Sequence, residues 1–120
     1  MYCLQLKNFS DHLACTFEDL LVEGHFTDVT LVSDNQVQMP AHKVILSDCS
    51  PVLKNLLLNN PHTHPLIYLR GVKQEAMQSI LKILYLGEAT INQDRINEFI
   101  ETALDLGVKE IIMVELVMSL

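Results

Sequence analysis

The sequence predicts an α+β fold: a helical cluster flanked by a small sheet of short strands. Three observations carry this. Several segments repeat apolar residues at the i, i+4, i+7, i+8 spacing of one helix face. Between them lie short runs whose pattern alternates or is wholly apolar, as half-buried and buried strands do. Glycine is rare, with 4 in 120 residues, and falls where the helical patterns stop.

The elements follow in order. Leu4 and Leu6 alternate with Gln5 and Lys7 and read as a short strand with one apolar side. Asn8 or Ser10 is placed to cap a helix running to about Glu23, with Gly24 as its stop. Its stripe is Leu13, Phe17, Leu20 and Leu21. Asp28 to Val32 and Val37 to Met39 form a hairpin with Asp34 and Asn35 at the tip. His42 to Ser47 continues as a short helix, and Pro51 opens another, since proline suits the first helical turn. That helix ends near Asn59, and the stretch to Pro65 is loop by composition. Leu66 to Leu69 is a third core strand, and Gln74 to Tyr85 a helix closed by Gly87. Ala89 to Ile91 is extended. Asn92 caps a helix bearing Ile96, Phe99, Ile100, Ala103 and Leu104, ended by Gly107, and a last helix carries Ile111, Ile112, Leu116 and Val117.

Composition narrows the function. The chain is expected to be one domain, spanning 1–120, either standing alone or heading a longer protein. Hydrophobic residues make up 49%, enough for a core and for surplus apolar surface of the kind that marks partner sites. Eight Lys and Arg against fifteen Asp and Glu give a formal charge of -7, which a polyanion would resist, so direct nucleic-acid binding is not expected. There is neither a signal peptide nor a run of eighteen apolar residues. No membrane association and an intracellular setting are therefore expected. Cys3, Cys15 and Cys49 are expected to be free and mostly buried thiols.

The chemistry-bearing residues point away from catalysis. His62 and His64 share a loop without the further ligands of a four-coordinate structural metal site. His42 precedes an apolar helix and reads as a core histidine bonded to backbone. Cys49 lies seven residues from His42 on a broken helix, so spacing does not pair them as nucleophile and base. Phosphate-binding glycine loops, G-x-S-x-G and paired-carboxylate motifs do not occur. No enzyme activity, cofactor or metal is expected.

Four segments, in register, resemble a known family. Phe26 to Val32 opens with an acid before an alternating strand. Ala41, His42 and Lys43 run into Leu46, and Ser47, Cys49, Ser50 and Pro51 follow. This order is similar to the "DV-x-L", "AHK-x-x-L" and "S-x-CSP" signature of the BTB/POZ domain. Leu81 to Glu88 resembles its "L-x-x-x-Y-T-G-E" helix end, with Leu86 where Thr is usual. Phe99 to Val108 resembles its "L-x-A-A-x-x-L-x-V" helix. Tyr2 to Phe9, followed by Phe17 to Leu21, is similar to the opening of the tramtrack-type subgroup of arthropod transcription and chromatin factors, with Leu6 where Trp is usual.

The resemblance implies a BTB/POZ fold whose function is protein–protein association. It implies a homodimer built on the N-terminal strand and first helix, through Leu4, Leu6, Phe9, Leu13, Phe17, Leu20 and Leu21, and in the subgroup assembly to hexamers. It implies a charged pocket at the floor of the dimer groove, formed by Asp28 and Lys43. Further partners would be other BTB or chromatin proteins, in a nuclear transcription or chromatin-architecture factor whose DNA-binding module lies elsewhere. The alternative is a substrate adaptor of a cullin-type ubiquitin ligase. Leu57, Leu58 and Asn59 lack the acid of the adaptors' hydrophobic-x-Glu motif, and Val52 and Leu53 replace the usual Tyr-Phe.

Overall fold

The computed structural model describes residues 1–108 and 110–113. Among these residues five α-helices and three strands follow in order: α1 Phe9–Glu23, β1 Val29–Val32, β2 Gln38–Ala41, α2 Lys43–Cys49, α3 Pro51–Asn59, β3 Leu66–Tyr68, α4 Gln74–Leu86 and α5 Ile96–Asp105. A single 3-10 turn, Gln93–Arg95, leads into α5. The α+β expectation holds.

The sheet order is β2-β1-β3. β1 pairs antiparallel with β2, Leu31 opposite Met39, and parallel with β3, Leu31 opposite Ile67. The parallel pairing needs a crossover, which α2 and α3 provide. As the middle strand, β1 buries Val29, Leu31 and Val32. Pro40 fits in β2 because that strand is an edge and its missing N–H breaks no second ladder.

The helices close over this sheet. α4 turns Ala76, Met77, Ile80, Leu81, Leu84 and Tyr85 inward, and α5 adds Phe99, Thr102 and Ala103. Leu31, Leu46, Leu53 and Met77 are almost fully enclosed, and each such side chain contributes roughly 2 kcal/mol of burial. The break between α2 and α3 is built by Ser50, whose hydroxyl accepts the Leu53 N–H at 3.2 Å and donates to the Leu106 carbonyl at 2.7 Å. Pro51 follows at the first helical position, where it has no N–H to satisfy.

The structure departs from the sequence expectations in five places. Leu4 to Leu6 form no strand within the chain, since no sheet edge of the same chain runs beside them and a lone strand has nothing to satisfy its backbone. Asn8 sits at the start of α1 but in a left-handed conformation, φ 57°, with no side-chain cap. Asn92 leads into the 3-10 turn, not directly into α5, and its side chain likewise caps nothing. Val108 and residues 110–113 are not helical, because Gly107 and Glu110 take positive φ values of 73° and 63° that a right-handed helix does not admit. Leu116 and Val117 of that expected helix lie outside the described residues. Cys3, Cys15 and Cys49 are all exposed: one is in the N-terminal arm, one is on a helix with no buried residue, and one ends α2.

Candidate functional site

The first 28 residues of the chain include no fully buried side chain. α1 runs fifteen residues without one buried side chain, which a surface helix with a core-facing stripe does not ordinarily do. Leu20 and Leu21, near its end, are half-buried against the core. Phe9, Leu13 and Phe17, on the same stripe, remain exposed. Ahead of α1, Leu4 is 92% and Leu6 72% exposed. An open groove of about 440 Å³ separates the arm from the helix, lined by Leu6, Lys7, Phe9, His12 and Cys15. All seven expected interface residues therefore sit on one stretch, the two in the arm bare, Phe9, Leu13 and Phe17 partly exposed, and Leu20 and Leu21 packed against the core.

Other apolar side chains are exposed without having been singled out in the sequence. Val44, in the first turn of α2, is 77% exposed, and Phe26, in the turn after α1, is 90% exposed. Both stand beside motif residues, Lys43 and Asp28, whose charge drew attention first. The only signal available for them was an apolar residue that no helical or strand period required.

Asp28 and Lys43 are brought together, though through the backbone. Asp28 Oδ1 accepts the Lys43 N–H at 2.7 Å, while the Asp28 N–H donates to the Ala41 carbonyl at 3.1 Å. The Lys43 ammonium turns away and donates to the His62 carbonyl. Both residues are half-buried. The carboxylate thus closes the start of α2, a place where negative charge is stabilised by the helix dipole.

His42, at the N-cap of α2, is buried and fully engaged. A carbonyl only accepts, so Nε2–H donates to the His25 carbonyl at 2.6 Å. Nδ1 then accepts the Tyr85 O–H at 2.6 Å, and the Tyr85 oxygen accepts the His42 backbone N–H at 2.8 Å. The expectation of a core histidine bonded to backbone holds, and Tyr85, 43 residues away, is the partner the sequence did not reveal. Burial, above all, pushes the Tyr85 hydroxyl up to about 12.

With both ring nitrogens spent, His42 is not given to Cys49, whose thiol faces Asp48 Oδ2 at 3.5 Å. Burial first, and then that carboxylate, push the thiol up, away from the thiolate form that attacks. His64 Nε2 meets Thr30 Oγ1 at 2.8 Å, which ties the 59–65 loop to β1. Among the described residues, no three His, Cys, Asp or Glu side chains converge as metal ligands, and no helix is long and apolar enough to cross a membrane.

Comparison with known proteins agrees with this architecture. The family model described as BTB/POZ domain matches residues 17–115. The chain is 37% identical over 108 residues to the tramtrack alpha isoform of Drosophila melanogaster, covering 90% of this chain and 13% of that protein. It is 40% identical over 108 residues to the longitudinals lacking protein-like of the same fly, covering 90% of this chain and 84% of that one. Bric-a-brac 1, also from the fly, is 36% identical over 108 residues, covering 90% of this chain and 11% of its own. Among solved structures, the BTB domain of human gigaxonin superposes with a TM-score of 0.71 at 26% identity, covering 88% of this chain and 86% of that chain. The BTB domain of zebrafish PATZ1 gives 0.74 at 20% identity with the same coverage, a likeness of fold. The chain belongs to the BTB/POZ family, and what it provides is a protein–protein interaction domain.

Proposed function

We propose that this domain associates with itself, as a homodimer built on the N-terminal arm and α1. One observation carries the reading: a fifteen-residue helix with an apolar stripe fully buries none of its side chains within the chain, and an apolar arm lies bare ahead of it. A two-fold interface uses one such patch twice, and an obligate one is large and core-like. The interface residues are Leu4, Leu6, Phe9, Leu13, Phe17, Leu20 and Leu21. A partner's arm would find a backbone to pair with in the segment from Ala89 to Ile91, which belongs to no helix or strand of its own chain. Asp28 and Lys43 form the charged pocket of the groove, supported by their half-burial and their shared position at the start of α2. Co-expression of two differently tagged copies tests the dimer: one tag retrieves the other, and changing Leu4 and Leu6 to Glu abolishes retrieval.

Assembly beyond the dimer, to hexamers, is supported by the tramtrack-type opening and by the open edge strand β3, where Leu66 and Tyr68 are exposed. Crosslinking that reaches six chains is the expected result; crosslinking that stops at two across a wide concentration range contradicts it.

The wider role is that of a nuclear transcription or chromatin-architecture factor, with itself and other BTB or chromatin proteins as partners. The fly relatives support it. The -7 charge assigns DNA contact to some other module. The cullin-adaptor alternative would use α3, where Leu58 is exposed but Asn59 follows in place of an acid. A cullin pull-down separates the two, with no retention expected.

A further inference from the structure

We propose that Phe26 is an anchor of the contact between two copies of this chain, presented to the partner by a left-handed backbone turn. The inference rests on the self-association reading and adds to it a residue on the loop after α1.

Phe26 has φ 60°. A bulky side chain in that region is an outlier, for which glycine or asparagine is the ordinary choice. Such a conformation persists only where its surroundings hold it. Here they do, from both sides. The His25 carbonyl before it accepts from the buried His42 ring, and the Asp28 carboxylate after it accepts the first N–H of α2. The turn is therefore fixed, yet its side chain gains almost nothing inside the chain. The ring is 90% exposed, and its one aromatic neighbour is exposed His25, centroids 6.3 Å apart. A turn selected for its shape alone would carry a small residue.

The partner that fits is a second copy. Phe26 lies two residues past Gly24, which ends α1, so it is continuous in the chain with the uncovered helix. The two clamps also set it beside the N-terminus of α2, where Val44 is 77% exposed. An interface that already needs cover along the arm and α1 extends onto this turn, and rigid aromatic anchors are the side chains on which association energy concentrates.

Sedimentation equilibrium of the full 120-residue chain tests this with Phe26→Gly and Phe26→Asn. Both replacements accept the left-handed turn, so the fold and its helical circular-dichroism signal should persist. Self-association should weaken by about tenfold or more. Association as tight as wild type in both variants overturns the proposal while leaving the dimer in place. Loss of the helical circular-dichroism signal in both without urea overturns it too, since the ring would then be packed within its own chain. A monomeric wild type overturns the self-association reading itself, and the proposal with it.

Discussion

Asp28 and Lys43 meet through one hydrogen bond, from the Lys43 backbone N–H to Asp28 Oδ1 at 2.7 Å, and not through their charges. The acid is spent on closing α2, a helix of seven residues whose own N-cap, His42, turns its ring elsewhere. Asp28→Ala should therefore cost about 1–2 kcal/mol, as loss of a helix cap does. Lys43→Ala should cost less than about 1 kcal/mol, because its ammonium reaches only a carbonyl on an exposed loop. Urea unfolding of the two variants checks the asymmetry. Equal and large losses would mean that the pocket is held by the two charges and not by the backbone bond.

Tyr85 links α4 to His42 with two hydrogen bonds through one hydroxyl, one to the buried residue's ring and one from its backbone N–H. Tyr85→Phe leaves the His42 N–H and Nδ1 without that partner and should cost about 1–3 kcal/mol. The pH dependence has a definite sign. Burial raises the hydroxyl from 10.0 to about 12 in the folded state, so between those values the unfolded chain loses the proton first. Stability is full below pH 10 and falls as pH rises toward 12. Thermal melts should show this alkaline decline in wild type and a shallower one in Tyr85→Phe.

Asp34 carries the opposite sign. The Gly71 N–H first, and then the Tyr68 hydroxyl, hold its carboxyl below the ordinary 3.8. These bonds tie the hairpin tip to the turn before α4, at 3.1 and 2.9 Å. Their contribution is present above pH 3.8 and is lost as pH falls through the lowered value. Asp34→Asn should flatten the acid limb of the melting profile by lowering the neutral midpoint slightly toward the acid one.

Much of this was legible in the chain because local rules and the fold agree. The α4 stripe needed only the helical period and Gly87, whose φ of 82° ends the helix. Ser50 and Pro51 announced the α2–α3 break, and both do there what their chemistry allows. What was not legible is non-local. Nothing near His42 in sequence pointed to Tyr85. The Asp28 carboxylate could not be assigned to a backbone N–H before the hairpin placed it there. The Leu4–Leu6 alternation is a genuine strand pattern, but among the described residues it joins no strand of the sheet. The exposure of Phe26 and Val44 follows no helical or strand period, so no pattern announced it.

Phe17 separates core from interface. It sits in the α1 stripe and is still exposed, so a charge there is tolerated by one chain alone but not by a covered contact. Phe17→Asp should therefore reduce the assembly to single chains with the helical circular-dichroism signal intact. An unfolded variant would place Phe17 in the core instead.

The most direct measurement is solution mass by light scattering at two or more concentrations in the micromolar range, with circular dichroism as the check on folding. Self-association predicts a mass of at least two 13.6 kDa chains at every concentration. A folded species of one chain's mass throughout would contradict it.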